Sequence, residues 1–449
     1  MKKSTRTLLA GAALVAMAGS AHAATQINLY GASAQYVFWQ NAVVPFMTAT
    51  TANGGLGCTS TLGPTKDSVD GKTFIVQGSG CDTTLTDGAV DFRAGNKASY
   101  DGIFAATGNN DPMSVSSSRG SCDRFSRLMA DGPASNTSTV TTTRTGCYPI
   151  TLGATDVPAS AFVQTSSGNL KGNNTSGGTV SRVFSGVPLS GTVNGFDLVA
   201  PLATYQPVKV PFGFFVNNGV TAKTCTAGST IGDYCGSDAD CGPAGVCNPT
   251  PATINNMSRE MATQLFGQSI RNWSQMTGFT AQNVTLVMRH AGSGTAATLD
   301  LTVMNKAWGK SLPTAQNTLA TKAITYFNDS TGDLFANMNT IAGSVGYADA
   351  DAGKCANCAG PIKYNGSYPN SQNIISGIYD YWADQTVYLT GNATAQQKAV
   401  ADKLLAPGGY LNDSTGSHLA GTAFRNFWAA SAEMKVTRAG GNPFLYPSR

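Results

Sequence analysis

The chain has 449 residues, only 12% of them charged, with a formal net charge of +4 and 51 glycines. Lys2, Lys3 and Arg6 supply most of that excess, so the remainder is close to neutral and carries no electrostatic footprint for nucleic acid or an anionic membrane. The apolar run from Leu8 to Met17 is too short to span a bilayer and, with Ala21-His-Ala23 behind it, reads as an export signal cut after residue 23.

The length that follows suits two lobes. All ten cysteines lie beyond the cut, and an even count in an exported chain reads as disulfides. They group as Cys58 with Cys81, Cys122 with Cys147, four between Cys225 and Cys247, and Cys355 with Cys358. Inside the group of four the connectivity is open, with Cys225–Cys241 and Cys235–Cys247 preferred. Only His290 and His418 remain to accompany them, which argues against zinc. Ala359 after Cys355-Ala-Asn-Cys358 excludes haem attachment. No metal or cofactor is expected.

In chain order, Ile27–Tyr30 reads as a strand, Gly31-Ala-Ser-Ala34 as a small-residue turn, and Gln35 to Phe46 as a helix. Residues 49–114 look like a polar insertion with short strands such as Thr73–Val76. Cys122 to Met129 has helical composition, and the tract from Ser135 to Thr145 reads as a loop or hairpin. Leu152 to Thr155 leads a strand into Asp156-Val-Pro158, and Val208–Asn217 is a buried strand. Asp233, Asp238 and Asp240 in the cysteine knob lack calcium-loop spacing. Ser258 caps a helix over 260–266. Helical sequence is expected from Thr295 to about Phe327, then a strand at Gly343–Tyr347, helices near 374–387 and 394–405, and a last helix around Phe424, Phe427 and Trp428. Strands alternating with helices argue for α/β lobes.

Chemistry concentrates in Val284 to Leu299. The β-branched run to Met288 is a buried strand, Gly292 and Gly294 bracket Ser293, and Thr295 opens helical sequence. Unpaired N–H groups and the positive dipole end at such a turn seat an anion, and Arg289 adds a two-pronged donor. Ser33 at the first turn, and Ser116 to Ser118 beside Arg119, are further seats of this kind.

Several segments together resemble, in order, the phosphate-binding periplasmic proteins of ABC transporters. They are Gly31-Ala-Ser-Ala, Ser117-Ser118 before Gly120, Gly153-Ala-Thr-Asp156-Val-Pro, Pro211 to Asn217, Met257 to Trp273, Arg289-His-Ala-Gly-Ser-Gly-Thr295 and Gly343 to Tyr347. The resemblance implies a two-lobed periplasmic-binding-protein fold of type II, each lobe a mixed sheet flanked by helices. Lobe one would take 24–215, lobe two 216–342 with the knob at 225–250, and 343–449 would return to lobe one. Ligand contacts fall at Ser33, Ala34, Gln35, Ser117, Ser118 and Asp156 in lobe one, and at Arg289, Ser293, Gly294 and Thr295 in lobe two. The sequence departs from the family at Gln35-Tyr36 and at Ala291, where a carboxylate is usual, leaving discrimination among anions to Asp156.

The implied function is binding of an oxyanion, inorganic phosphate first, for delivery to an ABC transporter permease by a monomer in the periplasm. Two alternatives stand beside it. One is an exported surface or matrix protein that keeps the fold without transport. The other is a hydrolase using Ser293 and His290, although Gly-Ser-Gly lacks the nucleophile-elbow pattern and adjacent strand residues face opposite ways.

Overall fold

The computed structural model describes residues 24–69, 71–111, 119–132, 134, 143–173, 181–305, 309–416, 418, 426–438 and 445–447. Thr25–Gly31 (β1) runs through the middle of a first sheet, and the helix Tyr36–Thr48 (α1) buries Phe38, Trp39, Val43, Phe46 and Met47 against it. Ser60–Lys66 (β2) and Thr73–Ser79 (β3) form an antiparallel edge hairpin, followed by Ala89–Asn96 (β4) and the helix Ser99–Thr107 (α2). A second hairpin, Ser126–Asp131 (β5) and Thr143–Pro149 (β6), precedes Leu152–Thr155 (β7) and Ala203–Tyr205 (β8).

Val208–Asn217 (β9) begins the second sheet, joined by Asn256–Met257 (β10) and then the helix Arg259–Phe266 (α3). Thr285–Arg289 (β11) leads into Gly294–Thr298 (α4), which continues as a π-helical turn through Met304. Ile324–Asn328 (β12), the helix Thr331–Thr340 (α5), Ser344–Asp349 (β13) and Cys358–Tyr364 (β14) complete the lobe. The helix Ser371–Ile375 (α6), Trp382–Asp384 (β15), Thr386–Leu389 (β16), the helix Ala395–Leu405 (α7) and Ala429–Ala430 (β17) close the chain.

The first sheet runs β8-β16-β7-β1-β4-β3-β2 and the second β10-β14-β9-β13-β11-β12. Both are mixed. β1 pairs in parallel with β4 and β7, and β11 with β12 and β13, while β16 on β7 and β9 on β13 are antiparallel. The chain is thus two mixed α/β lobes. It leaves the first sheet between β8 and β9 and returns at Gln385, between β15 and β16. The two crossings touch, since Gln385 N donates to Val208 O at 3.0 Å. β17 lies beside them on Val208 and Lys209, and Trp428 stacks on Phe38 of α1 with centroids 4.5 Å apart.

Several expectations are corrected. The segment Gly343–Tyr347 forms a strand but does not return to lobe one, because β13 is bonded between β9 and β11 in the second sheet. Residues 49–114 are not all insertion: only the β2–β3 hairpin is peripheral. β4 alternates buried Val90, Phe92 and Ala94 beside β1, and α2 is buried along its length. Cys122 to Met129 is not helical, because Ser126–Asp131 pairs with β6 and sends Arg127 inward. Helical sequence after β11 stops at Met304, with β12 in the second sheet. Near 374–387 the helix ends at Ile375, Trp382–Asp384 pairs as a strand with β9, and Tyr381 stacks on Phe214. Trp428 docks just before the short strand Ala429–Ala430 rather than in a helix, and Phe424 lies outside the described residues.

All five disulfides pair as expected, including Cys225–Cys241 and Cys235–Cys247. In the knob, Asp240 accepts from the N–H groups of Gly236 and Ser237 and Asp238 from Cys247, so both are turn residues.

α2 can lie on the sheet only because its contact points lack side chains. A Cβ on Gly153 would come within 2.4 Å of Gly102 O, and one on Gly102 within 2.6 Å of Tyr30 O. From the other side Arg127 holds α2 through Asp101, Nη2 to Oδ1 at 2.7 Å, with both side chains fully buried. Losing one partner of a buried pair costs about 3–5 kcal/mol, whereas apolar replacement of both is often neutral. Asp101→Ala should therefore lower the urea-unfolding free energy by about that much, and Asp101→Leu with Arg127→Met should recover most of it. A double variant no more stable than the single one would show that the pair is not what fixes α2.

Candidate functional site

In each lobe the parallel strands end at one edge, and the two edges face each other. β1, β4 and β7 deliver the turn Ser33–Gln35, Lys97 to Ser99, and Asp156; β11, β12 and β13 deliver Arg289, Asp329 and Asp349. Carboxyl ends of parallel strands are where α/β sheets collect ligands.

Asp156 is the centre of the first edge and is buried. Its Oδ1 accepts from Gln35 Nε2 at 2.9 Å and its Oδ2 from Ser99 Oγ at 3.1 Å. Burial pushes its pKa up to about 6, against the lowering effect of those two hydrogen bonds and the charge of Arg289. Across the cleft Gly294 closes on the same group: its N–H donates to Ser99 Oγ at 3.2 Å, and a Cβ there would lie 2.5 Å from Asp156 Oδ2. Only glycine permits that approach.

Arg289 is buried at the end of β11. Its Nη1 donates to Thr331 Oγ1 at 3.0 Å and its Nη2 to the carbonyl of Asp329 at 3.1 Å, while its Nε has no hydrogen-bond partner among the described residues. Burial lowers its pKa, opposed by Asp329, Asp349, Tyr347 and Asp156. Ser293 and Thr295 are buried beside it, and Ser293 begins α4 with no side-chain cap bond.

Ionic contacts join the edges as well. Lys97 Nζ meets Asp329 Oδ2 at 2.7 Å, with Arg182 Nη2 at 3.8 Å from Oδ1. Burial raises the Asp329 pKa, but the surrounding positive charge overcomes it and keeps the carboxyl ionised. His290 Nδ1 bonds the Ala291 carbonyl, and burial with Arg182 and Arg289 nearby pushes the ring down to about 3, so it is neutral. Its Nε2 faces Asp329 at 3.4 Å, and Ser293 meets His290 only through the backbone bond from Ser293 N to His290 O.

Of the expected residues, the structure gathers Gln35, Asp156, Arg289, Ser293, Gly294 and Thr295 in one cleft. Ala34 is buried and Ser33 half-buried in the turn before α1. Ser117 and Ser118 lie outside the described residues. Ser99, Lys97, Arg182, Asp329, Thr331, Asp349 and Gln385 were not anticipated. The last donates from Nε2 to Gln35 Oε1 at 2.9 Å, tying the chain crossing to the site. The signal for Ser99 was present, in the alternation over 89–94 and the apolar run Ile103 to Ala106 behind it.

No family model matches the chain. It is 28% identical over 163 residues to the phosphate-binding protein PstS of Bacillus subtilis (strain 168), covering 36% of this chain and 49% of that protein. The chain thus spans about half the length of the curated relative it matches. Among solved structures, it is similar to a phosphate-binding protein of Stenotrophomonas maltophilia at 11% identity, covering 91% of this chain and 88% of that one with a TM-score of 0.41. An ABC-type phosphate transport receptor of Vibrio cholerae aligns at 16% identity over 44% of this chain and 63% of that one, with a TM-score of 0.29. Likenesses of this size assign no residue roles.

The raised pKa of Asp156 is also a statement about stability. A carboxyl titrating near 6 when folded, against an ordinary 3.8, favours the fold below the lower value and loses that contribution as pH rises through the upper one. At pH 7.5 the ligand-free protein carries a penalty of up to about 3 kcal/mol. Asp156→Asn should be more stable than the parent at pH 7.5 by up to that amount and indistinguishable at pH 4, as read from denaturant melts. Equal stabilities at both pH values would show that the carboxyl is not desolvated.

Proposed function

We propose that this chain binds inorganic phosphate in the cleft between its lobes and delivers it to an ABC transporter permease from the periplasm. The observation that carries the reading is the meeting of Asp156 from one lobe with Gly294, at the head of α4, and Arg289 from the other. The dipole end and guanidinium attract an oxyanion; the carboxylate accepts the proton that phosphate retains near neutrality.

Sulfate brings no proton there, and a carboxylate can only accept. In a closed, poorly screened cleft the resulting like-charge contact is costly. Ser99, Ser293 and Thr295 add hydroxyls, and Gln35 steadies Asp156 from behind, which gives the departure at Gln35 a role. Hydrogen bonds to charged groups contribute about 1.5–3 kcal/mol each, enough for micromolar or tighter binding once ordering costs are subtracted.

Closure follows from the topology. Both crossings lie side by side at Val208 and Gln385, so the lobes can swing about them. A ligand touching both edges binds the closed state better and shifts the population toward it. The role is binding and release without turnover. A neutral His290 that meets Ser293 only through the backbone does not make a nucleophile–base pair.

By calorimetry, Arg289→Ala should weaken phosphate binding about 100-fold or more, because two or more charged hydrogen bonds are lost. Lys223→Ala, removing a cation at the border of the knob, should change it less than about twofold. Competition between the two anions should show at least a tenfold loss of preference for phosphate over sulfate in Asp156→Asn. Wild type binding sulfate as tightly as phosphate, or equal affinities for Arg289→Ala and Lys223→Ala, would remove the site from this cleft.

A further inference from the structure

Asp349 has a place in this cleft that neither the sequence pattern nor the proposed role of Asp156 accounts for. It ends β13, the strand beside the one that ends in Arg289, so the two side chains leave the same sheet edge one strand apart. Thr331 Oγ1 links them: it accepts from Arg289 Nη1 at 3.0 Å and donates to Asp349 Oδ1 at 3.4 Å. The Asp349 side chain is buried, and the charges of Arg289 and Asp156 both act on it. One guanidinium thus stands between two buried carboxyls, one from each lobe.

Charge counting gives this arrangement a consequence. With both carboxyls ionised the trio carries a net negative charge and repels any anion approaching the buried, unpartnered Nε of Arg289. With Asp349 protonated the repulsion is relieved. We infer that Asp349 is a second carboxyl of the anion site and a specificity-determining residue, retaining or taking up a proton when an oxyanion binds. The inference rests on the proposed anion site and adds proton linkage to it.

The surroundings favour the protonated form. Burial raises the Asp349 pKa well above the ordinary carboxylate value, the neighbouring charge of Asp351 raises it further, and Arg289 opposes both. From the other elements packed here, Asp156 faces it across the cleft, Tyr347 shares its strand, and Asp329 lies beyond Arg289. Tyr347 is raised beyond the physiological range by burial, and Asp329 is held ionised. Once Asp156 is replaced, Asp349 and Asp351 are therefore the raised acids of this cluster left to titrate.

Sulfate is the suitable probe, since it carries no proton of its own near neutrality or above. In Asp156→Asn, sulfate affinity should hold level at low pH and then fall, approaching tenfold per pH unit above the ionisation of Asp349. In Asp156→Asn with Asp349→Asn the fall should disappear. Asp351→Asn on the Asp156→Asn background leaves Asp349 in place and removes a like charge, so it should move the break to lower pH. In parallel, calorimetry of phosphate binding in buffers of different ionisation enthalpy should count fewer protons bound by Asp349→Asn than by wild type. A sulfate profile unchanged by Asp349→Asn, with an unchanged proton count for phosphate, would overturn the inference while leaving phosphate binding standing. Failure of wild type and variants to bind either anion would overturn the proposed function itself, and this inference with it.

Discussion

The proposed site depends on one close approach, that of the Asp156 carboxyl to the backbone of Gly294. A buried carboxyl is expensive to ionise, and here the cost is moderated by Gln35, Ser99 and the charge of Arg289 rather than by water. The approach exists because residue 294 has no side chain. It also requires Ser99 to reach the cleft, which requires α2 to lie directly on β1 and β7. Gly102 and Gly153 allow that closeness, and the buried Arg127–Asp101 pair holds it. Local sequence, packing and cleft chemistry are thus linked: a side chain at Gly153 would displace the helix that carries Ser99.

The same geometry couples the site to the motion proposed for it. Gln385 is at once the residue where the chain returns to lobe one and a donor to Gln35, which in turn holds Asp156. The ionic contacts of Lys97 and Arg182 with Asp329 span the same gap. In the proposed closure, groups of opposite sign meet at the rim while two carboxyls and one guanidinium face the interior. An anion arriving there changes the balance of the interior charges, and the rim pairs are positioned to hold the closed state once it forms.

Much of this was legible in the sequence, and the unread parts have physical causes. Val208–Asn217 and the strand–turn–helix at Val284 to Leu299 announce themselves because apolar and β-branched residues are dense in them and turn residues follow. Three of the five disulfides follow from neighbour spacing, whereas the crossed pairing in the knob was one preference among open connectivities. β4 and α2 were obscured by Asp91, Arg93 and Asp101, charged residues satisfied inside the fold by partners distant in sequence. The strand at Ser126–Asp131 carries helix-forming residues, and pairing with β6 overrides their propensity. Sheet membership of Ser344–Asp349 could not be read at all: a buried strand pattern says that a sheet exists, not which one. Asp349 was hidden for the same reason, because its proximity to Arg289 depends on that membership.

In the proposed mechanism the lobes close around an anion at Gly294. The most direct test is equilibrium dialysis with radiolabelled phosphate, comparing the wild-type protein with Gly294→Leu. Wild type should bind saturably, with about one phosphate per chain and micromolar or tighter affinity. The variant, whose side chain would occupy the space against Asp156 and Ser99, should bind at least about 100-fold more weakly while keeping its fold by circular dichroism. Saturable binding of equal strength in both proteins would place the anion elsewhere, and no saturable binding by wild type would contradict the account altogether.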